Sequence, residues 1–140
     1  MTKTDITYWL DKYNIKHYTI NSDNVVDVNG NVELSGNGLK SIPFQFGTVK
    51  GNFYCSYNSL KSLKGCPQVA EGDFICWGNQ LTSLKGCPEV VNEVFDCCNN
   101  QLDNLKGCPK VAGDFNCDED MKETLEYKRY LIGRKLREIV

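Results

Sequence analysis

A chain of 140 residues, 41% hydrophobic and 24% charged, has enough apolar content for one domain with its own core. Its formal net charge of −2 argues against a generally basic nucleic-acid binder. No apolar run approaches a membrane span, and MTKTDITYWLDKYNIKHYTI has no signal-peptide apolar stretch, so a cytoplasmic protein without a membrane partner is expected.

The N-terminal residues predict a cap of helix plus hairpin over 1–30. Thr4 or Asp5 can N-cap a helix whose Ile6, Trp9, Leu10 and Tyr13 fall on one face. Tyr18 and Ile20 suggest a strand. Val26 and Val28, the turn Asn29-Gly30, then Val32 and Leu34 read as a hairpin.

From there to residue 117 the chain repeats. Asn37, Asn58, Asn79 and Asn100 are each 21 residues apart, within F-x-C-x-x-N-x-L-x-x-L-K-G-C-P-x-V. Such a period, with L-x-L-x-x-N-x-L, points to leucine-rich repeats in which Phe and Cys replace two strand leucines. Phe53 and Cys55, Phe74 and Cys76, Phe95 and Cys97, and Phe115 and Cys117 are i, i+2 pairs that face one side of a short strand. One strand cannot bury that face alone, whereas stacked parallel copies can. The asparagines turn the chain out of the strand and can form an amide ladder. Gly and Pro limit the return segment, on which Val49, Val69, Val90 and Val111 come back toward the core. Val32-Glu33-Leu34 leads to Asn37 with the same offsets, so it is a divergent first rung. With it the rungs number five, a sheet about 20 Å across.

The pattern stops at Asp120 and Lys122, which occupy the asparagine and leucine sites. A helical cap is expected over 118–140. Met121, Leu125, Ile132, Leu136 and Ile139 share one stripe, acids precede the helix and bases end it, and Gly133 is expected to kink it. The fold class is thus an α/β repeat solenoid in a single domain, 1–140.

With these residues in hand, N-Q-L-T-S-L at 79–84 resembles the short repeats of bacterial leucine-rich-repeat effectors, although L-K-G-C-P stands where that family continues L-P-x-L-P. The chain over roughly 1–125, including ITYWLDKYNIKHYTI, VDVNGNVELS and IPFQFGTVKGNFYC, is similar to small leucine-rich-repeat proteins encoded by tailed phages. The resemblance implies a curved solenoid in the host cytoplasm with a host protein as partner, and no known activity. The effector ubiquitin ligases carry a separate catalytic domain, which this chain is too short to include.

Eight cysteines would suggest disulfides in a secreted chain; here reduced thiols are expected. Cys55, Cys76, Cys97 and Cys117 repeat as small buried hydrophobes, with Cys66, Cys87 and Cys108 as a second ladder. No C-x₂₋₄-C pair supplies a metal site, and neither metal nor cofactor is expected. Cys98 departs from the repeat at an outward site and is expected to be accessible. A nucleophile there needs a base, and the lone histidine, His17, lies several rungs away. Two alternatives stay open: an enzyme or metal protein using Cys98 or the acids Asp96, Asp118 and Glu119, and a nucleic-acid binder or mimic using the charged faces, including the basic end at Lys128–Arg137.

Function is sought where the repeat varies. Three outward columns read Glu33, Tyr54, Ile75, Asp96, Asn116; then Ser35, Ser56, Trp77, Cys98, Asp118; then Gly36, Tyr57, Gly78, Asn99, Glu119. Tyr54, Tyr57, Ile75 and Trp77 are expected to form an exposed aromatic patch flanked by acids. That composition suits a protein interface selecting a basic partner, with Glu33, Asp96, Cys98 and Asn99 beside it. A terminal module folded over the patch, or a homodimer hiding it, is the competing reading.

Overall fold

The computed structural model describes residues 1–139. Each 21-residue unit builds one turn of a β-solenoid, closed at its two ends by helices. Strands β3 (Val32–Glu33), β5 (Phe53–Tyr54), β7 (Phe74–Ile75), β9 (Phe95–Asp96) and β11 (Phe115–Asn116) stack in parallel as the front sheet. Phe53, Phe74, Phe95 and Phe115 lie in register, so each Phe-x-Cys pair adds to one continuous buried wall. The return segments are strands as well, forming a second sheet behind the first. Its parallel members are β2 (Val25–Val28), β4 (Gln45–Val49), β6 (Val69–Ala70), β8 (Val90–Val91) and β10 (Lys110–Val111).

Register corrects the expected inner column of that second sheet. Val28, Val49, Ala70, Val91 and Val111 are aligned and buried, whereas Val69 and Val90 pair with outward-facing neighbours and stay half-buried. Counting from the preceding proline misleads because Pro109 lies one residue nearer its core valine than Pro88 does.

No hairpin forms across Asn29-Gly30. β2 and β3 belong to different sheets, because Val25–Leu34 is itself a return strand, a corner and a front strand like those of every later turn. Parallel stacking on both sheets satisfies more backbone than one isolated hairpin would. The antiparallel pair lies one strand earlier, between β1 (Tyr18–Ile20) and β2. Asn21 shapes its loop, its Oδ1 accepting from the N–H groups of Asp23 and Val25.

Helix α1 (Lys3–Lys12) starts at Thr2, not at Thr4 or Asp5. Thr2 and Asp5 form a capping box, with Asp5 as the reciprocal acceptor three residues on. The backbone N–H and hydroxyl of Thr2 hold the Asp5 carboxyl below its ordinary range. Ile6 and Leu10 are fully buried, and Trp9 and Tyr13 pack against the core. From Trp9 an aromatic spine runs through Phe44, Phe46 and Phe53 into the stacked Phe74 and Phe95, and ends at Phe115 under Tyr127 and Tyr130.

The C-terminal cap departs from expectation. After a 3₁₀ helix (Glu119–Glu123) that buries Met121, the chain extends at Thr124 and then enters α2 (Leu125–Ile139). Leu125, Ile132, Leu136 and Ile139, expected to face the core, are 59–80% exposed. α2 docks instead through Tyr127 and Tyr130, and it continues unbroken through Gly133. The reason is hydrogen bonding. The last rung presents unpaired edge groups, and aliphatic side chains cannot satisfy them. The Tyr130 hydroxyl accepts from the Phe115 N–H at 3.1 Å and donates to the Gly113 carbonyl at 2.9 Å, while Arg137 donates to the Val111 carbonyl.

In the turns that leave the front strands runs an amide ladder, buried at Asn58 and Asn79 and half-buried at Asn100. The Oδ1 of Asn79 accepts the Leu60 N–H of the previous turn, and its Nδ2 donates to the carbonyls of Cys55 and Cys76. Asn58 and Asn100 repeat this arrangement. Asn37, with no turn before it, is exposed and donates only to carbonyls of its own turn. Asn79→Ala leaves the buried Leu60 N–H without its acceptor and takes one of two donors from each of the Cys55 and Cys76 carbonyls, which Asn58 and Asn100 still reach. It is expected to cost about 2–3 kcal/mol, against about 1 kcal/mol or less for Asn37→Ala. Urea denaturation of the two variants checks this; equal losses would contradict the ladder.

Candidate functional site

The front sheet turns its Phe and Cys side chains inward, so the intervening and following residues form an outer face. Four of these face residues vary toward the aromatic or aliphatic: Tyr54, Tyr57, Ile75 and Trp77. Tyr54 and Ile75 are register partners on β5 and β7, both half-buried. Tyr57 and Trp77 meet edge to face, ring centroids 4.6 Å apart at 64°. Tyr57 is 64% exposed and Trp77 half-buried, so the patch is open chiefly through Tyr57. Neither helix covers it: α1 packs under the first turns and α2 against the last.

Backbone conformation singles out Tyr57. Its column reads Gly36, Tyr57, Gly78, Asn99, and all four have left-handed φ, of 68°, 53°, 72° and 56°. Gly and Asn tolerate that conformation; a bulky aromatic side chain does so at a cost of about 1–2 kcal/mol. The alternation was readable in the sequence as a Gly, Tyr, Gly, Asn column, although its φ was not. A Cβ at Gly78 would stand 3.5 Å from the Tyr57 ring, an ordinary contact, so it is the left-handed φ and not the ring that favours glycine there.

Tyr54 is positioned by Asp73, the corner residue just before β7. Its hydroxyl donates to Asp73 Oδ2 at 2.9 Å, and burial followed by this bond raises its pKa. Asp73 also accepts the Val94 N–H through Oδ1 and donates its own N–H to Asn52, which in turn binds Asn31. Asn31, Asn52 and Asp73 thus form a second side-chain ladder at the corner before each front strand. Its signal was legible as a polar residue preceding Val32, Phe53 and Phe74 at the 21-residue spacing.

The acids expected around the patch have structural partners. Asp96 Oδ1 accepts the Cys98 N–H, Asp118 Oδ1 accepts the Asn99 N–H, and Glu119 pairs with Lys122 at 2.8 Å. Glu33 is exposed and folds back to accept the Ser35 N–H. Asn99 is exposed in its left-handed turn.

All eight cysteines carry free thiols. Cys55, Cys76, Cys97 and Cys117 are buried in one column under the front sheet. The neighbouring Cys66 thiol and burial hold Cys55 well above the usual thiol range, and burial does the same for Cys76. Cys98 is half-buried, less accessible than its column suggested, because Asp96 and Asp118 stand beside it. Burial and then the Asp96 carboxylate push its thiol up to about 12. His17 lies in the loop before β1, at the opposite end of the stack. Among the described residues no three His, Cys, Asp or Glu side chains converge as a metal site would need. Among them, too, no helix is long and apolar enough to cross a membrane.

In comparisons with known proteins, no family model, curated protein or solved structure matches this chain.

The thiolate is the reactive form of cysteine, and a pKa near 12 leaves roughly one Cys98 in 10⁴ ionised at pH 8. Cys98 is therefore expected to react with iodoacetamide far more slowly than free cysteine, its rate still rising with pH above 9. Asp96→Asn removes a negative neighbour, lowers that pKa and is expected to speed the reaction. A fast, pH-independent rate near neutrality would contradict this.

Proposed function

We propose that this chain is a non-enzymatic protein-binding module of leucine-rich-repeat type, recognising one partner through the outer face of its front sheet. The observation that carries the reading is Tyr57. An exposed aromatic ring is kept at a left-handed position that costs backbone stability, where the neighbouring turns use Gly or Asn. Strain retained at an exposed aromatic favours a role outside folding. Tyr57 and Trp77 supply the large, rigid side chains that dominate interface energetics. Ile75 and Tyr54 extend the surface, and Glu33, Asp96 and Asn99 give it a polar, acidic margin that steers a basic partner.

The likeness to small phage-encoded repeat proteins adds that the partner is a host protein, which binding inhibits or redirects in the host cytoplasm.

Two substitutions separate binding from folding. Tyr57→Gly is expected to leave stability unchanged or raise it by about 1 kcal/mol, because the left-handed strain is relieved. Tyr57→Gly combined with Trp77→Ala is expected to lose the proteins that the unaltered chain captures from host extract. The measurements are denaturation midpoints and quantitative mass spectrometry of captured proteins. A doubly substituted chain that captures the same set equally well would overturn the proposal.

A further inference from the structure

α2 has an apolar stripe that its own molecule does not use. Leu125, Ile132, Leu136 and Ile139 follow each other at spacings of seven, four and three, which place them on one side of the helix. They are 59%, 61%, 60% and 80% exposed. The docked side, held by Tyr127, Tyr130 and Arg137, aims the stripe away from the solenoid. Solvent-facing aliphatic side chains in a continuous row mark an interaction surface.

The stripe is bordered by cations. By helical spacing Lys128, Arg129 and Lys135 flank it. α2 carries five basic and two acidic side chains, a net +3 in a chain of net −2, which leaves −5 on everything else. The front-sheet patch has the opposite character, with Tyr57, Trp77 and Ile75 between Glu33 on one side and Asp96 and Asp118 on the other. The two surfaces also agree in length. From Leu125 to Ile139 a helix rises about 21 Å. The apolar patch occupies the two adjacent turns of β5 and β7, and with its acidic margins, from Glu33 on β3 to Asp118 after β11, the face extends about 19 Å.

We infer that the patch takes a cationic amphipathic helix, and that α2 of a second copy of this chain is such a helix, so that copies associate head to tail. The inference rests on the reading of the patch as a binding face. α2 cannot reach its own patch, because Tyr130 fixes it to the last rung and Thr124 alone links it to the 3₁₀ helix. Two α2 stripes cannot pair well, since Lys128, Arg129 and Lys135 of both copies would line one seam. Two patches cannot either, since Glu33, Asp96 and Asp118 would face their equals. Only the heterologous contact matches apolar to apolar and acid to base, and it leaves a free patch and a free helix at the two ends. An external partner then competes with the second copy for the patch.

Complementary variants test this in the full-length chain. One lacks the patch (Tyr57→Gly, Trp77→Ala); the other lacks the stripe (Ile132→Glu, Leu136→Glu), and all four positions are exposed or half-buried. By sedimentation velocity the unaltered chain is expected to form species whose mass grows with concentration and shrinks with salt. Each variant alone is expected to stay monomeric, and their equimolar mixture to form a species of twice the chain mass and nothing larger. A mixture that stays monomeric, or either variant associating alone, overturns the inference. Lys128→Glu with Lys135→Glu repeats the stripe arm without altering apolar residues. A designed helix of leucine and lysine alone serves as the separate probe of the patch. If dilute unaltered chain binds it, Trp77→Ala does not, and the mixture stays monomeric, self-association falls while the patch reading stands. If the probe is not bound either, both fall.

Discussion

The solenoid depends on one buried amide per turn. An asparagine side chain offers an acceptor and two donors, and at positions 58, 79 and 100 all of these meet backbone groups, buried at Asn58 and Asn79 and half-buried at Asn100. Leu could fill the space but would strand the carbonyls; Asp could accept but could not donate. Each amide reaches back to the turn before it, so the ladder has a direction. Asn37 has nothing behind it and is exposed, and after Asn100 no further amide arrives. The chain leaves the pattern at Asp118, which accepts the Asn99 N–H, and Tyr130 and Arg137 supply the bonds a sixth turn would have made.

Because the amides and the Phe-x-Cys walls fix every inward position, the chain is free to vary only outward. Cysteine suits the inner column as a small apolar group beside large phenylalanines, and burial keeps its thiol protonated. Trp77, Tyr57 and Ile75 use the outward freedom. Tyr57 even contradicts the local backbone preference that Gly36, Gly78 and Asn99 obey. A scaffold whose interior is this repetitive can carry such a locally unfavourable residue because hydrogen bonds on both sides determine the turn around it.

Much of this is legible in the sequence. The 21-residue spacing gave the rungs, their number and the inward Phe, Cys and Leu, and the outward columns isolated Tyr57 and Trp77. Where reading failed, a local rule was outvoted by a distant partner. Asn29-Gly30 is a good hairpin turn, but β3 finds β5 and β2 finds β4, and two parallel ladders outweigh one hairpin. Val69 and Val90 look like core because they follow a proline at fixed distance, yet pairing puts Ala70 and Val91 inside. The second ladder, through Asn31, Asn52 and Asp73, hid in plain spacing because polar residues at corners read as ordinary turn chemistry.

The sequence alone determined the period, and with it the stacking, since a repeat that places an amide and two core side chains every 21 residues can satisfy its backbone only beside copies of itself. What only the tertiary structure decided was which surface each element gives to its neighbour. The stripe of Leu125, Ile132, Leu136 and Ile139 states that one side of α2 is apolar, but the last rung offers unpaired backbone groups beside Phe115, not apolar surface alone. Tyr130 and Arg137 can answer those groups and leucine cannot, so the polar-tipped side packs and the apolar side is left to the solvent.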